Sequence, residues 1–266
     1  MTARANLHRH KRIVVKVGTT TLTYPNGRLN LQRIEKICLV LSDLCNQGKE
    51  MILVTSGAIA VGADSLRLET RPRDILGKQA ASAVGQAVLM QIYQRFFALY
   101  NRQIAQILLT GDVLDNPVRK QNASNTINTL ISMGVVPIVN ANDTVAIDEL
   151  DEEISDNDTL SAHVAVLSES DLLIMLSDIE GLYNADPRTS PQAAFYYQVH
   201  TITQEMESCA GKPQSSLGTG GMATKLAAAA LVMDHNIDGI MASGDDPEII
   251  WRILQGEQVG TLFTKK

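Results

Sequence analysis

Short apolar blocks alternate along the chain with stretches of helical periodicity. Ile13–Val17 is a β-branched run, closed by a polar turn at Gly18–Thr23. Leu31, Ile34, Ile37 and Leu41 then recur at the spacing of one helix face. Met51–Val54 is the next apolar run and ends at Thr55, Ser56 and Gly57. The pattern predicts a long helix from about Ile75 to Leu99, and further strands at Ile104–Leu109, Val135–Val139, Leu172–Leu176 and Ile237–Met241. Helices are predicted between them at about Asn122–Met133, Thr159–Leu167 and Thr224–His235. The strand runs lack clean apolar–polar alternation, as strands covered on both faces do. Strands separated by helices predict βαβ units, and hence an α/β fold with a mostly parallel sheet.

In such sheets ligands bind at the carboxyl ends of the strands. That directs attention to Gly18–Thr21, Ser56 and Gly57, Asn140–Asp143, Ser177 and Asp178, and Ser243 and Gly244. Each follows a predicted strand, and each is rich in small or polar residues. The segments Asp148–Asp156 and Ala185–Gln192 read as surface loops. No internal repeat or interdomain linker is evident, so 1–266 reads as a single domain.

Composition narrows the function classes. Across 266 residues the formal net charge is −6, which argues against nucleic acid as the main ligand. No apolar run approaches the roughly 20 residues that span a bilayer. The basic start of the chain precedes an apolar run too short for a signal peptide, so residues 1–10 are expected to be a flexible tail of a cytoplasmic protein. Cys38, Cys45 and Cys209 form no Cys-x-x-Cys pair and suit a reducing compartment; Cys38 and Cys45 are expected to face the core. The five histidines are scattered without zinc spacing, so no metal ligands are assigned.

Four segments could carry chemistry. Gly218, Thr219, Gly220, Gly221, Met222, Ala223, Thr224 and Lys225 open a predicted helix. Glycines admit close backbone approach, and the N–H groups of a helical first turn favour an anion. A flexible loop with a helix cap is the plainer reading. The segment is neither a P-loop nor a dinucleotide fingerprint, because Lys225 does not follow glycine and no strand precedes the glycines. Lys16, inside an apolar strand, requires an anion from the protein or from a ligand. Gly18 and the adjoining threonines favour a phosphate there over a purely structural ion pair. Ser56 could cap a helix and help present N–H groups to a carboxylate. Asp143, Asp156, Asn157 and Asp158 could orient an ammonium group, a lysine or Mg²⁺-bound water, or serve only as turn and cap residues; Asp156 or Asp158 is a plausible N-cap.

Taken together, residues 14–23, 52–62, 135–145, 155–165, 176–188, 217–229 and 259–263 resemble the amino acid kinase family, in order and over almost the whole chain. The resemblance is strongest to members that phosphorylate the side-chain carboxylate of free glutamate. It implies a three-layer αβα sandwich around a mostly parallel sheet of about eight strands. It implies an ATP site at Lys16, Ser177, Asp178 and Thr219, Gly220, Gly221, Met222, Ala223, Thr224 and Lys225. It implies a glutamate site at Ser56, Asp143 and Asn157. Lys16, Lys225 and Asp158 are implied as catalytic, with Asp158 organising the two lysines. About 1–170 would bind the amino acid and about 171–266 ATP. ATP, Mg²⁺ and L-glutamate are the implied small molecules. Proline as a feedback inhibitor, a dimeric or tetrameric assembly and glutamyl phosphate reductase as a functional partner are implied as well.

Three departures from the family pattern stand out. Ala141 stands where glutamate is frequent, and Ser155 where glycine is usual. The C-terminal PUA domain of many members is not found in these residues. Two rivals remain at this stage: a related kinase whose acceptor is aspartate, N-acetylglutamate or carbamate, and a non-catalytic sensor of nucleotide or amino acid.

Overall fold

The computed structural model describes residues 3–145, 157–187, 189–190, 192–209 and 221–265. Eight strands among them form one sheet: β1 (Arg12–Val17), β2 (Glu50–Val54), β3 (Ile104–Leu109), β4 (Val136–Ala141), β5 (Leu172–Ser177), β6 (Gln198–Val199), β7 (Asp238–Ser243) and β8 (Thr261–Phe263). The helices are α1 (Thr19–Leu22), α2 (Leu31–Asn46), α3 (Ala58–Ser65), α4 (Ile75–Leu99), α5 (Gly111–Asp115), α6 (Pro117–Ser132), α7 (Asn157–Leu167), α8 (Gln204–Cys209), α9 (Met222–Asp234) and α10 (Ile249–Leu254).

The strand order is β3-β4-β2-β1-β5-β7-β8-β6. The first six of these are mutually parallel, whereas β8 runs antiparallel to β7. Alternation along β1 divides the core into two layers. Ile13, Val15 and Val17 face the cluster containing Leu7, Ile34, Leu41, Tyr93 and Ile250. Val14 faces the opposite cluster, with Ile127, Leu160, Val164, Leu226 and Val232. The expected αβα sandwich is therefore present, and β1, β2, β4, β5 and β7 all deliver their carboxyl ends to one edge. The chain leaves β1 for β2 on one side and returns to β5 on the other, so β1 lies at the topological switch point.

Helix starts follow local chemistry. Asn30 caps α2 by accepting from the Arg33 N–H, and Asp74 caps α4 by accepting from the Gly77 N–H. The predicted helix at Asn122 begins earlier, at Pro117: Asn116 accepts from the N–H groups of Val118 and Arg119, and proline occupies the first turn, where its missing N–H is harmless.

Residues 3–10 overturn the expectation of a flexible tail. Ala3–Arg9 form a 3-10 helix, Leu7 is wholly buried, and the Arg4 guanidinium donates to four carbonyls. These belong to Tyr197 at 2.6 Å, Glu257 at 3.1 Å, Val259 at 2.8 Å and Gly260 at 2.6 Å. A guanidinium carries enough donors to satisfy such a carbonyl cluster, so this segment closes the β8 side of the domain.

The small residues Ala80, Ala83 and Ala87 of α4, a candidate face for a partner helix, are exposed. Close helix packing within the chain uses the neighbouring face. A Cβ on Gly85 would lie 1.8 Å from the Ala58 carbonyl oxygen, and one on Gly62 would lie 1.7 Å from that of Ala81. Backbone of α3 thus rests directly on backbone of α4. Gly85→Ala is expected to destabilise the fold by about 1–3 kcal/mol through overpacking. Thermal melting checks this, and an unchanged midpoint would mean that the two helices separate without penalty.

Candidate active site

Lys16 is the next-to-last residue of β1 and points, like Val14, toward α7 and α9. It is 5 % exposed, an environment that disfavours an unpaired ammonium. Its Nζ donates to Asp158 Oδ1 at 2.5 Å. Lys225, in the first turns of α9 and 8 % exposed, donates from Nζ to the other oxygen, Oδ2, at 2.8 Å. Asp158 itself is fully buried in the first turn of α7. Burial alone would raise its carboxyl, but the two ammonium groups outweigh that and hold it down at about 2. The Asp158 side chain is therefore an ion-pair partner, and α7 begins one residue before it, at Asn157. The alternative N-cap, Asp156, lies outside the described residues.

Two cations around one anion leave a net positive charge in a protected position. Thr224 adds a hydroxyl whose single proton can go to Asp158 Oδ2 at 3.3 Å or to the Gly221 carbonyl at 2.9 Å. Ser161 donates to the Asp158 carbonyl at 2.6 Å. Gly221 is the N-cap of α9 and brings no side-chain cap to the first-turn N–H groups of Met222, Ala223 and Thr224. Thr219 and Gly220 lie outside the described residues. Ser177, at the end of β5, is buried and donates to the exposed Asp178 at 3.1 Å.

A second group of side chains gathers at the ends of β2 and β4. Gly57 adopts a left-handed conformation, φ 91°, which a side chain would strain, and so turns β2 abruptly into α3. Ser56 Oγ, just before it, accepts from Asn157 Nδ2 at 2.9 Å. Asp143 accepts from Ser82 Oγ at 2.9 Å. Its carboxyl is raised by burial, against the opposing influence of that hydroxyl and of Arg71 and Lys78. The structure thus places Ser56, Asp143 and Asn157 at one edge of the sheet, together with Lys16, Lys225 and Asp158. Ser155, one of the departures, lies outside the described residues, whereas Ala141 ends β4 and is buried.

The sequence reading missed Thr224 as an Asp158 partner, and it missed α4 altogether as a source of polar contacts. Asn140 Nδ2 donates to Gln86 Oε1 at 2.8 Å, and Thr55 Oγ1 pairs with the Tyr93 hydroxyl at 2.7 Å. The detectable signal was a glutamine within an otherwise small and apolar helical stretch.

Comparisons with known proteins bear on the family and the fold. Residues 11–243 match the Amino acid kinase family. Glutamate 5-kinase of Clostridium perfringens is 53% identical over 265 residues, covering 99% of this chain and 98% of that protein. Glutamate 5-kinase of Enterococcus faecalis is 48% identical, covering 98% and 97%. Among solved structures, UMP kinase from Bacillus anthracis superposes with a TM-score of 0.64 at 18% identity, covering 97% of each chain. An isopentenyl phosphate kinase of T. acidophilum gives 0.65 at 16% identity, covering 95% of this chain and 100% of that one. The shared fold extends over the whole sheet, the sequence match runs almost end to end, and the chain belongs to the amino acid kinase family.

Proposed function

We propose that this chain transfers the γ-phosphoryl group of ATP to the side-chain carboxylate of L-glutamate, producing L-glutamyl 5-phosphate. The observation that carries this reading is the Lys16–Asp158–Lys225 arrangement at the carboxyl edge of the sheet. Near 50% identity to glutamate 5-kinases over nearly the full chain supports the choice of acceptor.

The chemistry places modest demands on the protein. A glutamate side chain has a pKa near 4.3, about three units below neutral pH, so the nucleophile is already a carboxylate and needs no general base. What remains is alignment and charge stabilisation, as in phosphoryl transfer generally. Lys16 from β1 and Lys225 from α9 would hold the transferring phosphoryl group from two sides. Asp158 bridges the two ammonium groups and so sets their separation. The N–H groups of Gly221, Met222, Ala223 and Thr224 would take the remaining phosphate oxygens, together with Thr219 and Gly220. Ser177 and Asp178 border the same space. Asp143 would receive the ammonium of glutamate, with Ser56 and Asn157 orienting the amino acid. Apart from Lys16 and Asp158, which would serve the phosphoryl group, the two roles would divide the chain near residue 170.

Among the described residues, no group of three or more His, Cys, Asp or Glu could by itself hold a metal. An Mg²⁺ ion would be held chiefly by phosphate oxygens and water, with exposed Asp178 as a candidate protein oxygen donor. Such an ion neutralises phosphate charge when bound. Among the described residues no helix is long and apolar enough to cross a membrane. A cytoplasmic enzyme committing glutamate to proline synthesis, feeding a reductase and answering to proline as a homo-oligomer, completes the reading.

Incubation with ATP, Mg²⁺ and L-glutamate in the presence of hydroxylamine tests it. The expected result is glutamyl hydroxamate in step with ADP, and none from aspartate or N-acetylglutamate. Hydroxamate from another acceptor would reassign the substrate. ATP binding without hydroxamate from any acceptor would leave a sensor.

A further inference from the structure

Three polar side chains on α4 share its buried face, at positions 82, 86 and 93. Spacings of four and seven residues put them in one line along a helix. Ser82 is 2 % exposed and Gln86 6 %, so each resides where alanine or leucine would be less costly. Their neighbours on that face, Ala81, Gly85 and Leu89, supply the packing. The polar groups do something else: each engages a residue at the end of β2 or β4. Tyr93 meets Thr55, Gln86 accepts from Asn140, and Ser82 donates to Asp143. Asn140 in turn accepts from the Ala141 N–H at 2.9 Å, so its amide is held at both ends. Among the described residues, buried Gln86 Nε2 has no hydrogen-bond partner.

We infer that Ser82 and Gln86 are positioning residues for the acceptor amino acid, holding Asp143 and Asn140 in the orientation that receives it. The inference rests on the proposed glutamate kinase activity and identifies which part of the fold sets its acceptor affinity. Lys16 and Lys225 bond to Asp158 on the ATP side, whereas Ser82 bonds to Asp143 and Gln86 to Asn140, so the effect is expected on the acceptor amino acid.

The groups facing Asp143 are Ser82 and Lys78 of α4 and Arg71 just before it. Burial pushes its carboxyl up, and the Ser82 hydroxyl opposes that. Without the hydroxyl the carboxyl rises further. Asp143 must be ionised to receive an ammonium group, so the acid limb of kcat/KM for glutamate would move to higher pH.

The test compares wild type, Ser82→Ala and Gln86→Met in steady-state kinetics with glutamate and ATP, each varied separately, across pH 5 to 8. Expected is a rise of about tenfold in the KM for glutamate in each variant, the size of one buried hydrogen bond. The KM for ATP and kcat at saturating glutamate stay within about threefold, and Ser82→Ala alone shifts the acid limb upward. Equal rises in both KM values, or a loss of kcat with glutamate KM unchanged, would overturn the inference while leaving the activity in place. Ser82→Ala, which only removes an oxygen, keeps the question decidable if Gln86→Met folds poorly. Wild type without any glutamate turnover would overturn the inference together with the activity on which it depends.

Discussion

Lys225→Ala is expected to lower kcat by two to three orders of magnitude, on the order of 3–4 kcal/mol of lost transition-state stabilisation. The side chain is almost wholly buried, and its ammonium lies 2.8 Å from Asp158. A fixed cation in such surroundings acts with little screening by water, and no reorganisation is needed when charge develops on the transferring group. Alanine leaves Lys16 and Asp158 as a neutral pair, so the net positive charge of the site disappears. Because the first-turn N–H groups of α9 remain, ATP would still bind, and the KM for ATP changes less than kcat. Lys225→Arg is expected to recover little. A planar guanidinium is bulkier and cannot reproduce a single-point ammonium contact beside a fully buried carboxylate. The decisive measurement is single-turnover phosphoryl transfer at saturating ATP and glutamate. Turnover at the wild-type rate in Lys225→Ala would remove this lysine from the chemistry.

Lys16 shows how part of such a site can be read from sequence. A lysine within Ile13–Val17 is an expensive placement, and the expense itself demands an anion. The identity of that anion is less accessible. Asp158 lies 142 residues away from Lys16 and 67 from Lys225, and only the fold, or likeness to a family, joins them. The parallel sheet was legible for a related reason: strands covered on both faces are mostly apolar, as β1, β4 and β5 are apart from Arg12, Lys16, Asn140 and Ser177. The failures are equally physical. β6 and β8 have two and three residues, too few to display a period. The 3-10 helix at the start of the chain is fixed by Arg4 reaching the carbonyls of Tyr197, Glu257, Val259 and Gly260, and a basic segment anchored by partners so distant in sequence looks locally like a tail. The start of α6 was readable from Asn116 and Pro117, but the apolar period, which is weak there, drew attention past it. Ser82 and Gln86 escaped notice because a helix read for its apolar stripe directs attention away from its polar residues.

Asp158→Asn is expected to damage stability and turnover together, and ATP is expected to repair the first more than the second. In the wild type the buried carboxylate compensates two ammonium groups. Asparagine cannot, and two like charges then confront one another out of water. Breaking a buried ion pair from one side costs about 3–5 kcal/mol. For a chain of this size that corresponds to a fall in Tm of roughly 10 °C. Phosphates bring the missing negative charge, so saturating ATP should raise the Tm of the variant by more than it raises that of the wild type. Turnover stays low, by at least about tenfold, because the lysines lose the group that sets their separation. The pH dependence separates this account from a mere packing defect. The Asp158 carboxyl lies at about 2 in the folded protein, because the two ammonium groups outweigh the upward effect of burial. The unfolded chain has it near the ordinary value of about 3.9. Between those values the unfolded state binds the additional proton, so the contribution of Asp158 is full above the ordinary range and fades as pH falls toward 2. Wild-type and Asp158→Asn melting temperatures should therefore differ most near neutrality and converge in acid. A constant offset at every pH would reduce Asp158 to a packing residue, and a variant as stable as the wild type at neutral pH would mean that the two lysines are not held by it at all.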